Sequence, residues 1–252
     1  MIHRQTQAGE RVVVVTLCAG DPAPGPLSAF AQTLHKRWSE IPSRGQMPPG
    51  EAVAMRRAED LAALGVLGAG AVHVDIRDCI YRTDRATGRH LYTSDAALFG
   101  SLHPSEHALV RQVAAQISAV LGGFGRRRVY APLGLGYHVD HQLTRQAAEM
   151  AGKVHAYVED FPYAAREAVA PPSLVSGTAD APGVTSPSGH GLSPELIPLD
   201  PSNLEAKVRA IAQYVSQISS FWADVAVMAA EVRGFAERVG GRNLAERIWR
   251  TA

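Results

Sequence analysis

Residues 11–18 run Arg11-Val-Val-Val-Val-Thr-Leu-Cys18, a stretch in which apolar and polar positions do not alternate. Runs of this kind belong to central parallel strands covered by helices on both faces. Residues 1–10 carry the pattern of the last turns of a helix, capped by Gly9. A chain rarely begins there, so a segment upstream of Met1 is expected to belong to the fold. Helical spacing returns at Phe30, Leu34 and Trp38 within residues 27–38. It returns again within residues 51–67, where Met55, Leu61 and Leu64 face inward and Gly68 ends the helix. A loop rich in proline and glycine separates the two. Residues 71–75 predict a strand leading into Arg77-Asp-Cys-Ile-Tyr-Arg82, a polar loop of the type that lines a pocket.

Helix over 105–121, strand over 128–132, helix over 140–151 and strand over 154–159 complete a βαβα alternation, which predicts a mostly parallel sheet wrapped by helices. Residues 171–194 are rich in Pro, Gly and Ser and are expected to form a flexible excursion within one domain spanning 1–252. A strand over 195–199 follows, then a helix capped by Ser202 and running to Ser219, then a final helical region reaching the C-terminus.

At 252 residues, 46% of them hydrophobic, the chain can bury a sizeable core. A formal charge of +1, from 25 basic and 24 acidic side chains spread along the sequence, argues against a broad face for nucleic acid or anionic lipid. The run Arg126-Arg127-Arg128 reads as a solvated strand entrance. Cys18 and Cys79 make no disulfide framework and suit a reducing compartment. No stretch approaches the roughly 18 apolar residues of a membrane span, and the first residues lack a secretory signal. A soluble, cytoplasmic protein is expected.

The candidate chemistry lies in Val129-Tyr-Ala-Pro-Leu-Gly-Leu-Gly-Tyr-His-Val-Asp-His-Gln142, a strand that exits through glycines into two imidazoles three residues apart. Loops at the carboxyl ends of parallel strands collect ligands. His138 and His141 can converge on one ion or substrate, or they can cap the helix that begins near Asp140. Asp140 can orient an imidazole or serve as a plain N-cap. His103 and His107, four residues apart, read as helix-entry residues.

Beside that loop stand Thr16-Leu-Cys-Ala-Gly20, Arg56-Arg-Ala-Glu-Asp60 followed by Leu64, Asp78-Cys-Ile-Tyr-Arg82 and Tyr157-Val-Glu-Asp-Phe-Pro-Tyr163. Together with Tyr137-His-Val-Asp-His141 they resemble the PIG-L or LmbE-like deacetylases over nearly the whole chain. The resemblance implies an α/β, Rossmann-like three-layer sandwich and a zinc-dependent N-deacetylase acting on N-acetylglucosamine-type groups. It implies that His141 is a zinc ligand and that His138 polarises the tetrahedral intermediate or protonates the departing amine, with Asp140 beside them. Arg56 resembles the family arginine that holds sugar hydroxyls; the plain alternative is an ion pair with Asp60 on the helix surface. Asp78 resembles a pocket acid for a sugar hydroxyl. Tyr137 either closes over the site or packs against its own loop. The expected partner is a small acetylated amino sugar or glycoconjugate.

The chain departs from the family at one point: the His-x-Asp-Asp motif at the end of a first strand, which supplies two zinc ligands and the general base, occurs nowhere in it. The expectation is therefore a missing first strand, from an internal start or a natural loss, and an apolar edge at residues 12–17 that invites pairing with another chain. Zinc binding in this chain is expected to be weak or absent, and hydrolysis near zero. A catalytically silent sugar-binding protein of the same fold is the alternative. A nucleotide-binding Rossmann domain is the weaker one, since no Gly-x-Gly-x-x-Gly follows the first apolar strand.

Overall fold

The computed structural model describes residues 1–39, 48–152, 154–166 and 191–251. In chain order its elements begin with α1 (Ile2–Gln7), β1 (Val13–Thr16), α2 (Ala29–Ser39), α3 (Pro49–Leu67), β2 (Gly70–His73), α4 (Asp95–Leu98) and α5 (His107–Gly122). They continue with β3 (Tyr130–Pro132), α6 (Val139–Ala151), β4 (Ala156–Val158), α7 (Tyr163–Arg166) and β5 (Leu192–Leu199). The last are α8 (Pro201–Ile211), α9 (Val215–Phe221), α10 (Val225–Gly240) and β6 (Leu244–Thr251). The chain falls into two compact units, Met1–Arg82 with Ile197–Glu246, and Thr83–Leu196 with Arg247–Ala252.

In the first unit β1 and β2 pair in parallel, from Val13 opposite Gly70 to Thr16 opposite His73. Helix α3 connects them and stops where Gly68 takes the left-handed conformation, φ 69°, which an L side chain resists. Two acids in the middle of α3 are buried and tie distant pieces of chain together. One oxygen of Asp60 accepts from Thr16 Oγ1 at 2.9 Å and stands 2.8 Å from His73 Nε2, at the ends of β1 and β2. Its other oxygen accepts from the Tyr214 hydroxyl at 2.6 Å. Glu59 accepts from the backbone and the hydroxyl of Ser216 at 2.9 and 2.6 Å. The surface ion pair between Arg56 and Asp60 is therefore corrected: Asp60 points inward, to Thr16, His73 and Tyr214.

The helical stretch after β5 also differs from expectation. Asp200, not Ser202, caps α8, accepting from the Asn203 amide at 2.8 Å. Pro201 fixes the first helical position, which puts the cap one residue before it. The helix then ends at Ile211, and a turn separates it from α9 rather than continuing to Ser219.

In the second unit β3 and β4 are parallel, with Tyr130 opposite Ala156 and Pro132 opposite Val158. β4 pairs antiparallel with β6, Tyr157 opposite Trp249, and the order across this sheet is β3-β4-β6-β5. The described strands thus form a parallel pair, β1-β2, and a four-stranded sheet that holds both parallel and antiparallel neighbours, within a fold that is α/β as expected. The final helical region is a further correction. α10 stops at Gly240, a Cβ on which would stand 2.8 Å from the Ala245 nitrogen, and residues 244–251 are a strand. Ile248 and Trp249 are consecutive and both about 2% exposed, as in a strand covered on both faces. Of the expected excursion at 171–194, residues 171–190 lie outside the described residues, while Leu192 already begins β5. No helix among the described residues is long and apolar enough to cross a membrane.

Candidate active site

After β3 the backbone hydrogen bond from the Leu133 amide to the Val158 carbonyl, 2.8 Å, carries the ladder one residue further. The chain then turns sharply. Gly134, Gly136 and Tyr137 take positive φ of 89°, 78° and 58°. For tyrosine this conformation costs on the order of 1 kcal/mol. It is held from outside: Gln142 Nε2 donates to the Tyr137 carbonyl at 2.5 Å and to the Gly100 carbonyl at 2.7 Å. Arg145, buried in α6, donates to the Leu133 carbonyl at 2.7 Å and to Glu149 at 3.0 Å.

This turn delivers His138 to the N-cap of α6, where its Nδ1 accepts from the Asp140 amide at 3.2 Å. Nδ1 can accept only with its lone pair unprotonated, so the neutral ring carries its proton on Nε2. Asp140 is not the cap; it lies in the first turn of α6, where the helix dipole favours a carboxylate, and it is buried. His141 is one residue further, its ring centroid 5.2 Å from that of His138.

Asp160, two residues beyond β4, was not singled out from the sequence and is the centre of this loop. One of its oxygens accepts from the amides of Gly134 and Leu135 at 2.6 and 2.8 Å. The other stands 2.8 Å from Nδ1 of His141, an ion-pair distance at an angle short of an aligned hydrogen bond. Burial works against a charged imidazole here, but Asp160, with Asp140 behind it, holds the pKa of His141 above the ordinary histidine value. A carboxylate on Nδ1 leaves Nε2 as the ring's lone pair, the arrangement in which histidine ligates metals. Tyr163 and Phe99 complete an aromatic wall. Tyr163 lies 5.8 Å from His141 and from Phe99, and Phe99 lies 5.5 Å from His138, all edge to face.

The other predicted residues, Arg56 and Asp78, belong to the first unit. They are brought together: Arg56 Nη1 donates to Asp78 Oδ2 at 3.1 Å. Asp78 caps the short 3-10 turn Cys79–Tyr81, its Oδ1 accepting from the Ile80 amide at 3.2 Å. Burial disfavours the charge of Arg56, yet Asp78 and its neighbours raise its pKa above the usual value. Behind the pair, His35 Nε2 and the Tyr81 hydroxyl are 2.6 Å apart. Burial, followed by the charge of Asp78, pushes the Tyr81 phenol above its ordinary range. His103, by contrast, is a helix-entry residue, its Nδ1 accepting from the Ser105 amide at 3.2 Å.

Residues 1–151 match the family described as PIG-L: GlcNAc-PI de-N-acetylase. Among solved structures, the zinc-inhibited form of a teicoplanin deacetylase is 27% identical, with a TM-score of 0.79 over 100% of this chain and 91% of that chain. An A40926 pseudoaglycone deacetylase is 26% identical, with a TM-score of 0.75 over 100% of this chain and 89% of that one. A deacetylase in complex with teicoplanin is 28% identical, with a TM-score of 0.76 over 99% and 90%. A comparison with curated proteins finds no match.

Proposed function

The chain belongs to the PIG-L family of N-deacetylases, and from that premise we propose that it is built for zinc-dependent removal of the acetyl group from an N-acetylglucosamine-type sugar carried on a larger glycoconjugate. The observation that carries this is the 2.8 Å approach of Asp160 to Nδ1 of His141, because a ligating histidine is characteristically backed by a carboxylate on its other nitrogen. The structural neighbours, among them a deacetylase complexed with teicoplanin, support a glycoconjugate substrate.

Zinc, when bound, would polarise the acetyl carbonyl and lower the pKa of a water. The residues of this loop fit it in part: His141 offers a backed imidazole, but zinc sites use three or four donors. His138 is committed through Nδ1 to the Asp140 amide, so its Nε2 is a donor. That suits it to hydrogen-bond the oxyanion that develops as the amide carbon becomes tetrahedral, rather than to ligate. Asp140 adds negative charge beside the imidazoles and, after Asp160, helps to hold the pKa of His141 up. Arg56 and Asp78 offer a donor and an acceptor for sugar hydroxyls, and Tyr137 precedes the histidines in its strained position. Hydrolysis of the amide would yield acetate and the free amino sugar.

These 252 residues contain no His-x-Asp-Asp sequence, to which the family resemblance assigns two ligands and the general base. The chain as given is therefore expected to release acetate at a rate near zero while keeping its sugar-recognition residues. The same absence favours the second reading, a silent sugar-binding protein. Acetate release from an N-acetylglucosaminyl glycopeptide in the presence of zinc tests both. Release by a version extended with a His-x-Asp-Asp strand, and none by the present chain, supports the enzyme. Binding without release by either supports the silent reading.

A further inference from the structure

The Arg56 guanidinium uses one of its N–H groups on Asp78 at 3.1 Å, and its carbon stands 4.7 Å from the centroid of the Trp38 ring. Its side chain is still 31% exposed. Trp38 itself is buried, at 6%, and its ring is fixed in turn by His35, 5.1 Å away and tilted, which meets the Tyr81 hydroxyl at 2.6 Å. On the other side of the ion pair, the Ile80 amide locks the second oxygen of Asp78. An exposed arginine ordinarily loses side-chain entropy when it binds a ligand, and a flat, always-charged fork stacked on an indole has already lost it.

We infer that Trp38 is a positioning residue: its face sets the plane of Arg56, so that the guanidinium edge not engaged by Asp78 is offered to ligand hydroxyls as a fixed donor. This rests on the proposal that Arg56 and Asp78 meet a sugar. Leu34 and Trp38 have the spacing of core residues, and nothing in the sequence separates a buried tryptophan that only fills space from one that carries a cation on its face.

The test is nitrogen and proton NMR of Arg56 in the full chain, titrated with the methyl glycoside of N-acetylglucosamine. In the parent protein the Arg56 Nε–H is expected upfield, in the ring current of Trp38, with its Nη signals separate because rotation is blocked. The sugar should shift them. Trp38→Leu should bind the glycoside about tenfold more weakly, the scale of a desolvated cation–π contact. Trp38→Phe, which restores a face, should stay within about threefold. Averaged Nη signals in the parent protein overturn the assignment with no variant needed, as does undiminished binding by a folded Trp38→Leu. If the methyl glycoside of free glucosamine shifts Arg56 and the acetylated one does not, the role of Trp38 stands and the N-acetyl reading falls. If neither shifts Arg56, the positioning role is overturned.

Discussion

Asp160 holds Nδ1 of His141 at 2.8 Å with one oxygen and the amides of Gly134 and Leu135 with the other, so a single carboxylate sets both the turn after β3 and the ring that follows it. Asp160→Asn removes the charge behind the imidazole. Loss of such a partner typically weakens metal binding by about 10- to 100-fold. Zinc affinity of the version extended with a His-x-Asp-Asp strand, measured by competition with a chelator, should fall by that factor, and Asp160→Glu should not restore it, since the longer side chain cannot keep both contacts.

Gly136 sits against Tyr163. A Cβ at that position would stand 2.5 Å from the Tyr163 Cγ, and its φ of 78° disfavours any L side chain. Gly136→Ala should therefore destabilise the protein by about 2 kcal/mol or more, from clash and backbone together. Adding Tyr163→Ala should relieve only the ring's share of the clash, since the Cβ of residue 163 would still stand 2.9 Å away, so both variants should keep urea midpoints below the parent.

The strands that frame this loop are legible in the sequence, as are the loop's glycines, because unbroken apolar runs and positive-φ residues leave local signatures. Asp160 is not. It reaches Gly134 only because β3 and β4 are paired in a register that sets their exits side by side, 26 residues apart in sequence. Asp60 shows the same limit, since its partner Tyr214 is 154 residues away. The misread C-terminus has a local cause: Leu244 and Ile248 have the i, i+4 spacing of a helix, and only the Trp249 partnership with Tyr157 in the sheet decides for a strand.

Asp60 makes a sharper stability test than any surface pair. Asp60→Ala removes the shared partner of the half-buried Thr16 and Tyr214 hydroxyls and of the His73 ring, and each such hydrogen bond contributes about 0.5–1.5 kcal/mol. A loss of about 3 kcal/mol is expected in urea unfolding, against about 1 kcal/mol for Tyr214→Phe, which removes one bond and leaves the carboxylate two partners.

Acid should act through Glu246. Burial alone would raise its carboxyl, but Lys207 at 2.6 Å and the N-terminal ammonium hold it down to about 2, from an ordinary 4.5. A group whose folded pKa lies below its unfolded one stabilises above the unfolded value and loses that contribution as pH falls. The stability from Glu246 should thus be whole above pH 4.5 and decline toward pH 2. Lys207→Met should shrink this acid-sensitive part, seen as a shallower fall in thermal midpoint over that window.

The claim that His141, backed by Asp160, is the metal-binding corner of an N-deacetylase is tested most directly by the imidazole nitrogen spectrum of the version extended with a His-x-Asp-Asp strand during zinc titration. The Nε2 signal of His141 should move with zinc while its Nδ1 stays that of a protonated nitrogen, and His138 should keep its proton on Nε2. Zinc that leaves His141 Nε2 unmoved, or that moves it equally in Asp160→Asn, would contradict the claim.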